Sequence, residues 1–249
     1  MALGNKLILN NNKTEIIHVT SRFDKATESS PNVTIGNSEI STSDEARDLG
    51  VIVDNHLNLS SHVTKLCAAA SFGLRKVGQV RKYLSKPQAE ALTHAFISSK
   101  LDSCNSLLYG LPEFQLSKIQ RIQNTAARIV ARVKKRDHIT PILYNLHWLP
   151  ITQRIKYKIL LITYKCLHGQ APIYLSELID YSKQRRTLRS SNKALLTIPR
   201  ISTSSYGDRA FSVAAPKLWN DIPPSLRLKE TIIDFKKALK TFLFKEYFE

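Results

Sequence analysis

The chain has 249 residues and carries 37 Lys/Arg against 20 Asp/Glu, a formal charge of +17. That length can bury a substantial core, as one large or two small domains. Three cysteines make no disulfide framework, the opening MALGNKLILNNN lacks the apolar region of a signal peptide, and no apolar run reaches the length of a membrane span. The expectation is a soluble intracellular protein of the nucleus or cytoplasm, without a membrane partner.

The charge is unevenly spread. Residues 1–64 hold five Lys/Arg against eight Asp/Glu, residues 65–170 eighteen against four, and residues 171–249 fourteen against eight. Cations concentrated in the middle of a chain suit a polyanion-binding surface, because many phosphates must be neutralised together to give useful affinity. A basic surface kept only for solubility would not need that asymmetry.

In chain order, an Asn-rich turn in NKLILNNNKTEIIHVTS (5–21) separates two short apolar runs, of which Ile16, Ile17 and Val19 read as β. Residues 24–32 form a polar loop. Val33 and Ile35, then Gly36-Asn37 and Glu39-Ile40, predict a hairpin, and Leu49–Val53 a third strand stopped at Asp54-Asn55. From Ser60 the period changes to helical, with Val63, Leu66, Cys67, Ala70, Leu74 and Val77 on one face. Ser85-Lys86-Pro87 is a helix start, and Leu92, Ala95, Phe96 and Ser99 predict the buried face that follows. Gly110-Leu111-Pro112 precedes a helix over about 113–135, with Ile119, Ile122, Ala126, Val130 and Val133 on one side. Lys118, Arg121, Arg128, Arg132 and Lys135 fall nearly opposite, a cation stripe with no interleaved acid.

Trp148 and Pro150 stand at the entry to the most apolar helix, which runs to about His168 and carries Ile151, Ile155, Ile159, Ile162 and Cys166 on its main stripe. Gly169 ends it and Pro172 opens a shorter helix. Residues 182–205 read as a basic, acid-free loop or arm, with a strand at Ala194–Ile198. A helix with Phe211, Ala215, Leu218 and Trp219, bent at Pro216, precedes a last helix with Phe235, Leu239, Phe242 and Leu243. The expected class is mainly α, a helical bundle with a small N-terminal β-rich piece, α+β overall. The expected domains are a β-rich piece at 1–58, a basic helical domain at 59–136, and a helical C-terminal domain at 137–249 that contains the basic loop.

Five ordered strings carry a resemblance: SKLDSCNSLLYGLP (99–112), KIQRIQNTAARIV (118–130), LHWLPITQRIKYKILLITYKCLHGQAPIYLSELI (146–179), SYGDRAFSVAAPKLWNDIP (205–223) and DFKKALKTFLF (234–244). Together they resemble the C-terminal part of LINE-type, non-LTR retrotransposon reverse transcriptases of the jockey-like group. The resemblance implies the end of the palm at 1–58, with a primer-grip hairpin in LGVIVDNHLN (49–58), and a thumb over 60–135. It places Lys13 of the NxxKT string (Asn10, Lys13, Thr14) near the phosphates of an incoming nucleotide. It also implies RNA, RNA–DNA hybrid or DNA as partners, together with the fingers and palm core of the parent enzyme.

Two-metal phosphoryl transfer needs clustered carboxylates, and no Asp-Asp pair occurs in the sequence. The family's acidic turn is expected upstream of Met1, so no catalytic residue and no cofactor are assigned to this chain, and Mg²⁺ belongs to the full-length parent. Whether the chain counts as an enzyme stays open. Cys67, Cys104, Cys166 and the histidines are too scattered for zinc spacing, so no metal site is expected. The nucleic-acid contacts expected are Lys118, Arg121, Arg128, Arg132 and Lys135, with Arg185, Arg186 and Arg189 as a secondary arm. Two alternatives stand beside this reading: a truncated retroelement product without activity, and a helical module whose basic face meets an acidic protein.

Overall fold

Mainly helical, with two small β-hairpins near its N-terminus, the chain is α+β overall in a computed structural model that describes residues 10, 13–20, 33–35, 38–182, 194–201 and 204–249. It forms two compact units, Met1–Leu66 and Cys67–Glu249.

In the first unit, β1 (Val33–Ile35) pairs antiparallel with β2 (Ser38–Ile40), with Val33 opposite Ile40. β3 (Glu45–Asp48) pairs antiparallel with β4 (Val51–Asp54), with Glu45 opposite Asp54. The β4 strand is the expected one but starts two residues later, because Leu49 and Gly50 take the turn with positive φ. Nothing in the sequence of β3, EARD, alternates apolar and polar residues, so only its neighbour marks it as a strand. The β reading of Ile16–Val19 survives as one bridge, Ile16 to Thr42. Buried Asp54 organises the turn that leads into the first helix: its carboxylate accepts amide protons from His56, Asn58 and Leu59 at 3.1, 3.0 and 2.7 Å.

That helix, α1 (Ser60–Val80), buries Val63, Ala70, Leu74 and Val77 as its periodicity predicts, while Leu66 and Cys67 are half-buried. The boundary between the units falls inside it. α2 (Lys86–Thr93) opens with Pro in its first turn, and Gln88 Oε1 reaches back to accept from Ser85 N at 2.9 Å. The expected buried face then fails. Ala95, Phe96 and Ser99 are exposed, whereas Ala89, Thr93, Ile97 and Leu101 are buried, at steps of four. The reason is a π-helical turn at His94–Ser98, between α2 and α3 (Ser99–Asp102). A π turn takes up extra chain per revolution and shifts the inward-facing register.

After a 3₁₀ turn at Asn105–Leu108 comes α4 (Glu113–Ala131), which ends four residues before its expected limit. Arg132 adopts a left-handed conformation (φ 56°), with Arg132 N donating to Ile129 O at 3.4 Å and Val133 N to Arg128 O at 3.2 Å. These two bonds are a Schellman cap, with arginine in the place usually taken by glycine.

α5 (Ile139–Asn145) leads to α6 (Ile151–Leu167), none of whose residues is exposed. Short α7 (Ile173–Ser176) and α8 (Ser204–Gly207) precede α9 (Phe211–Asp221), α10 (Pro224–Arg227) and α11 (Ile232–Phe248). α4, α9, α11 and the 105–108 turn all pack on α6, which makes it the hub of the second unit. α4 also packs on α5, so the expected division at 136/137 runs through continuous packing. Tyr164, Phe235 and Trp219 form an aromatic chain in this core, with centroids 4.3 and 5.8 Å apart. The strand expected at Ala194–Ile198 appears as a single bridge, Leu196 to Tyr181. Among the described residues no helix is long and apolar enough to cross a membrane.

Trp148 is 4% exposed and its Nε1 donates to Glu90 Oε1 at 3.1 Å. Trp148→Ala should therefore lower stability by about 3–5 kcal/mol in urea unfolding, through the cavity it leaves. Trp148→Phe should cost less, about 1–3 kcal/mol, because the ring volume largely stays while Glu90 loses its donor.

Candidate nucleic-acid interface

The core side of α4 is close to its predicted form: Ile119, Ala126 and Val130 are buried, and Ile122 and Val133 are half-buried. Two glutamines on this helix have structural roles that no sequence pattern announces. Buried Gln123 donates through Nε2 to Leu149 O at 2.8 Å. Gln120 Oε1 accepts from Ile151 N at 2.9 Å, satisfying an orphan amide of α6 that its N-cap Pro150 has no side-chain group to reach. The basic helix is thus clamped onto the start of the hub helix.

On the outer side the five expected cations do not form one stripe. Lys118 is exposed. Arg121 is exposed too, and its Nε donates to Ser117 O of its own helix at 3.2 Å. Arg128 is half-buried and its Nη2 reaches Asp137 O at 3.2 Å. Arg132, beyond the helix end, donates through Nη2 to the carbonyls of Arg81, Lys82 and Leu84 at 3.1, 3.3 and 3.3 Å. Lys135 is exposed but lies past the helix, so it does not share the helical face. Arg185, Arg186 and Arg189 lie outside the described residues. Lys13 is exposed in a local turn, where its amide and the Thr14 hydroxyl both donate to Asn10 O at 3.0 Å.

The geometry of the basic region depends on a residue outside the expected set. Arg81 is 9% exposed, and donates to Ile129 O at 2.8 Å, Leu84 O at 2.8 Å and Val130 O at 2.7 Å. Burial lowers its pKa from the ordinary value, and the charge of Arg132 adds to that lowering. Each of the two guanidiniums therefore binds carbonyls near the C-terminal end of the other's helix, where partial negative charge accumulates. A signal is present in the sequence: Arg81 continues the spacing of Ala70, Leu74 and Val77, and so belongs to the buried side of α1.

Two of the resemblance strings meet at one place. Arg154 Nη1 binds Asp102 Oδ2 at 2.5 Å and its Nε donates to Leu149 O at 3.0 Å. Asn105 Nδ2 lies 3.4 Å from Asp102 Oδ1. His94 packs on Trp148, ring centroids 5.2 Å apart. These groups line a cavity of about 360 Å³. Its acids, Glu90 and Asp102, are engaged by Trp148 and Arg154, so one ties the loop before α6 to α2 and the other ties α3 to the hub. Among the described residues no group of three or more His, Cys, Asp or Glu could hold a metal ion.

The two kinds of cation should separate on mutation. Arg132→Ala removes a donor shared by three carbonyls and should cost about 1 kcal/mol in thermal or urea unfolding. Arg132→Gly should cost less, because glycine relieves the left-handed backbone. Lys118→Ala with Arg121→Ala should leave the melting temperature nearly unchanged, since both side chains face solvent. No family model matches the chain, and no curated protein or solved structure does.

Proposed function

We propose that this chain is the end of the palm, the thumb and the C-terminal region of a LINE-type, non-LTR retrotransposon reverse transcriptase of the jockey-like group, and that it binds template RNA or an RNA–DNA hybrid through the phosphate backbone. The parentage rests on the five ordered strings between 99 and 244. The observation that carries the binding function is the excess of eighteen Lys/Arg over four Asp/Glu in residues 65–170, with Lys118 and Arg121 turned to solvent on α4. Cations that gain nothing from neighbouring acids repel one another, and phosphates laid along them remove that cost. The nucleus or cytoplasm is the compartment this reading implies, and the palm core and fingers of the parent enzyme are its protein partners.

Backbone binding is steep in salt and nearly blind to sequence. Removing one cation from a phosphate lowers the slope of log K against log[salt] by roughly 0.7–0.9. Lys118→Ala with Arg121→Ala should flatten the slope by about 1.5 units while the fold survives. A slope unchanged in this double variant removes α4 from the interface and makes the 182–205 segment the leading candidate. An acidic protein bound with higher affinity than RNA at equal salt would favour the protein-interaction module instead.

Chemistry is a separate matter. With no Asp-Asp pair in 249 residues, the purified chain should extend no primer on an RNA template with Mg²⁺ or Mn²⁺. Primer extension that follows the chain through purification would overturn the assignment of catalysis to other parts of the parent.

A further inference from the structure

The C-terminal ends of α1 and α4 meet. Ile129 Cδ1 lies 3.9 Å from where a Cβ on Gly78 would stand, and Arg81 binds the carbonyls of Ile129 and Val130.

The outer faces of this pair carry large aromatic rings in the open. Phe72 is 57% exposed, Phe114 61% and Tyr83, just past the end of α1, 75%. Each has a cation over its ring: Lys76 Nζ 5.5 Å from the Phe72 centroid, Lys118 Nζ 5.7 Å from Phe114 and Lys82 Nζ 4.8 Å from Tyr83. Single exposed apolar side chains need no explanation, and ring–cation pairs within one helix are common surface features. Three such pairs along two adjoining helices, in the most basic part of the chain, are a different pattern. Aromatic platforms interleaved with phosphate-binding cations are what a single strand of nucleic acid requires, because every base offers a π-face and every linkage a negative charge.

We infer that the α1–α4 face binds single-stranded nucleic acid, with bases stacking on Phe72 and Phe114, and on Tyr83 where the strand extends, while Lys76, Lys118 and Lys82 move from the rings onto the adjacent phosphates. The inference rests on the nucleic-acid reading above and adds the state of the ligand. A duplex keeps its base faces stacked on one another, so rings on a protein surface meet only its ends. An unpaired strand presents bases freely.

Phe72→Leu and Phe114→Leu keep an apolar side chain, lose the π-face and change no charge. They are compared with the unaltered chain by anisotropy against a short unstructured RNA containing 2-aminopurine, the same sequence as a blunt duplex, and polyglutamate. The expected result is about a tenfold loss of single-strand affinity per ring. The salt slope and the duplex affinity should stay unchanged, as should the melting temperature, and the variants should lose the 2-aminopurine signal of stacking. Equal affinity for strand and duplex, with variants that bind the strand normally, overturns the inference and leaves backbone binding standing. No salt-dependent binding to either nucleic acid overturns both. Loss of polyglutamate binding in the leucine variants, matching the loss for RNA, overturns the stacking inference by making the face a general contact for acidic polymers.

Discussion

Two arginines without carboxylates hold the basic helices in place. Arg81 is nearly buried, and its guanidinium is satisfied by backbone carbonyls near the ends of α1 and α4. Arg132 completes the exchange with the carbonyls of residues 81, 82 and 84. A buried charge costs several kcal/mol unless hydrogen bonds and opposing charge compensate for it. Here the compensation comes from carbonyls near helix C-termini, which carry partial negative charge. The arrangement holds the C-terminal ends of α1 and α4 together.

The other end of α4 is fixed by amides. Gln120 and Gln123 reach from α4 to Ile151 N and Leu149 O, and Trp148 between those elements is held by Glu90 of α2. These bonds give the junction a specific geometry that apolar packing alone would not. α6 can be enclosed on every side because its first turn is completed by a neighbouring helix and not by water. The basic face of α4 and the core of the second unit are consequently parts of one packed body.

The sequence was legible where a periodic pattern meets a single apolar partner. The stripes of α1, α4, α6 and α11 follow the predicted residues, and Ser85 with Pro87 marks the start of α2. It was illegible where backbone geometry changes the period. The π turn at His94–Ser98 moves the buried register from Ala95 and Phe96 to Ile97, and no local residue announces such a turn. Strand β3 carries no alternation of its own. The cation stripe shows a third kind of failure. Helical periodicity places Lys118 and Arg121 correctly in solvent, but it cannot foresee that a left-handed Arg132 stops the helix or that its partners lie fifty residues upstream. Arg81, by contrast, is readable, since a charged residue in phase with an apolar stripe must find buried acceptors.

The distribution of acids explains why so much positive charge is left over. Residues 65–170 contain four acidic side chains, and each serves the fold: Glu90 holds Trp148, Asp102 holds Arg154, Glu113 accepts from the Ser117 hydroxyl, and Asp137 accepts from the Lys134 amide. At Arg81, the one buried arginine described in this region, carbonyls serve in place of carboxylates. Satisfying interior cations with backbone dipoles, which add no net charge, keeps the stability of the helix pair independent of its surface potential. Lys76, Lys118 and Arg121 can therefore remain unneutralised at the surface without weakening the packing beneath them.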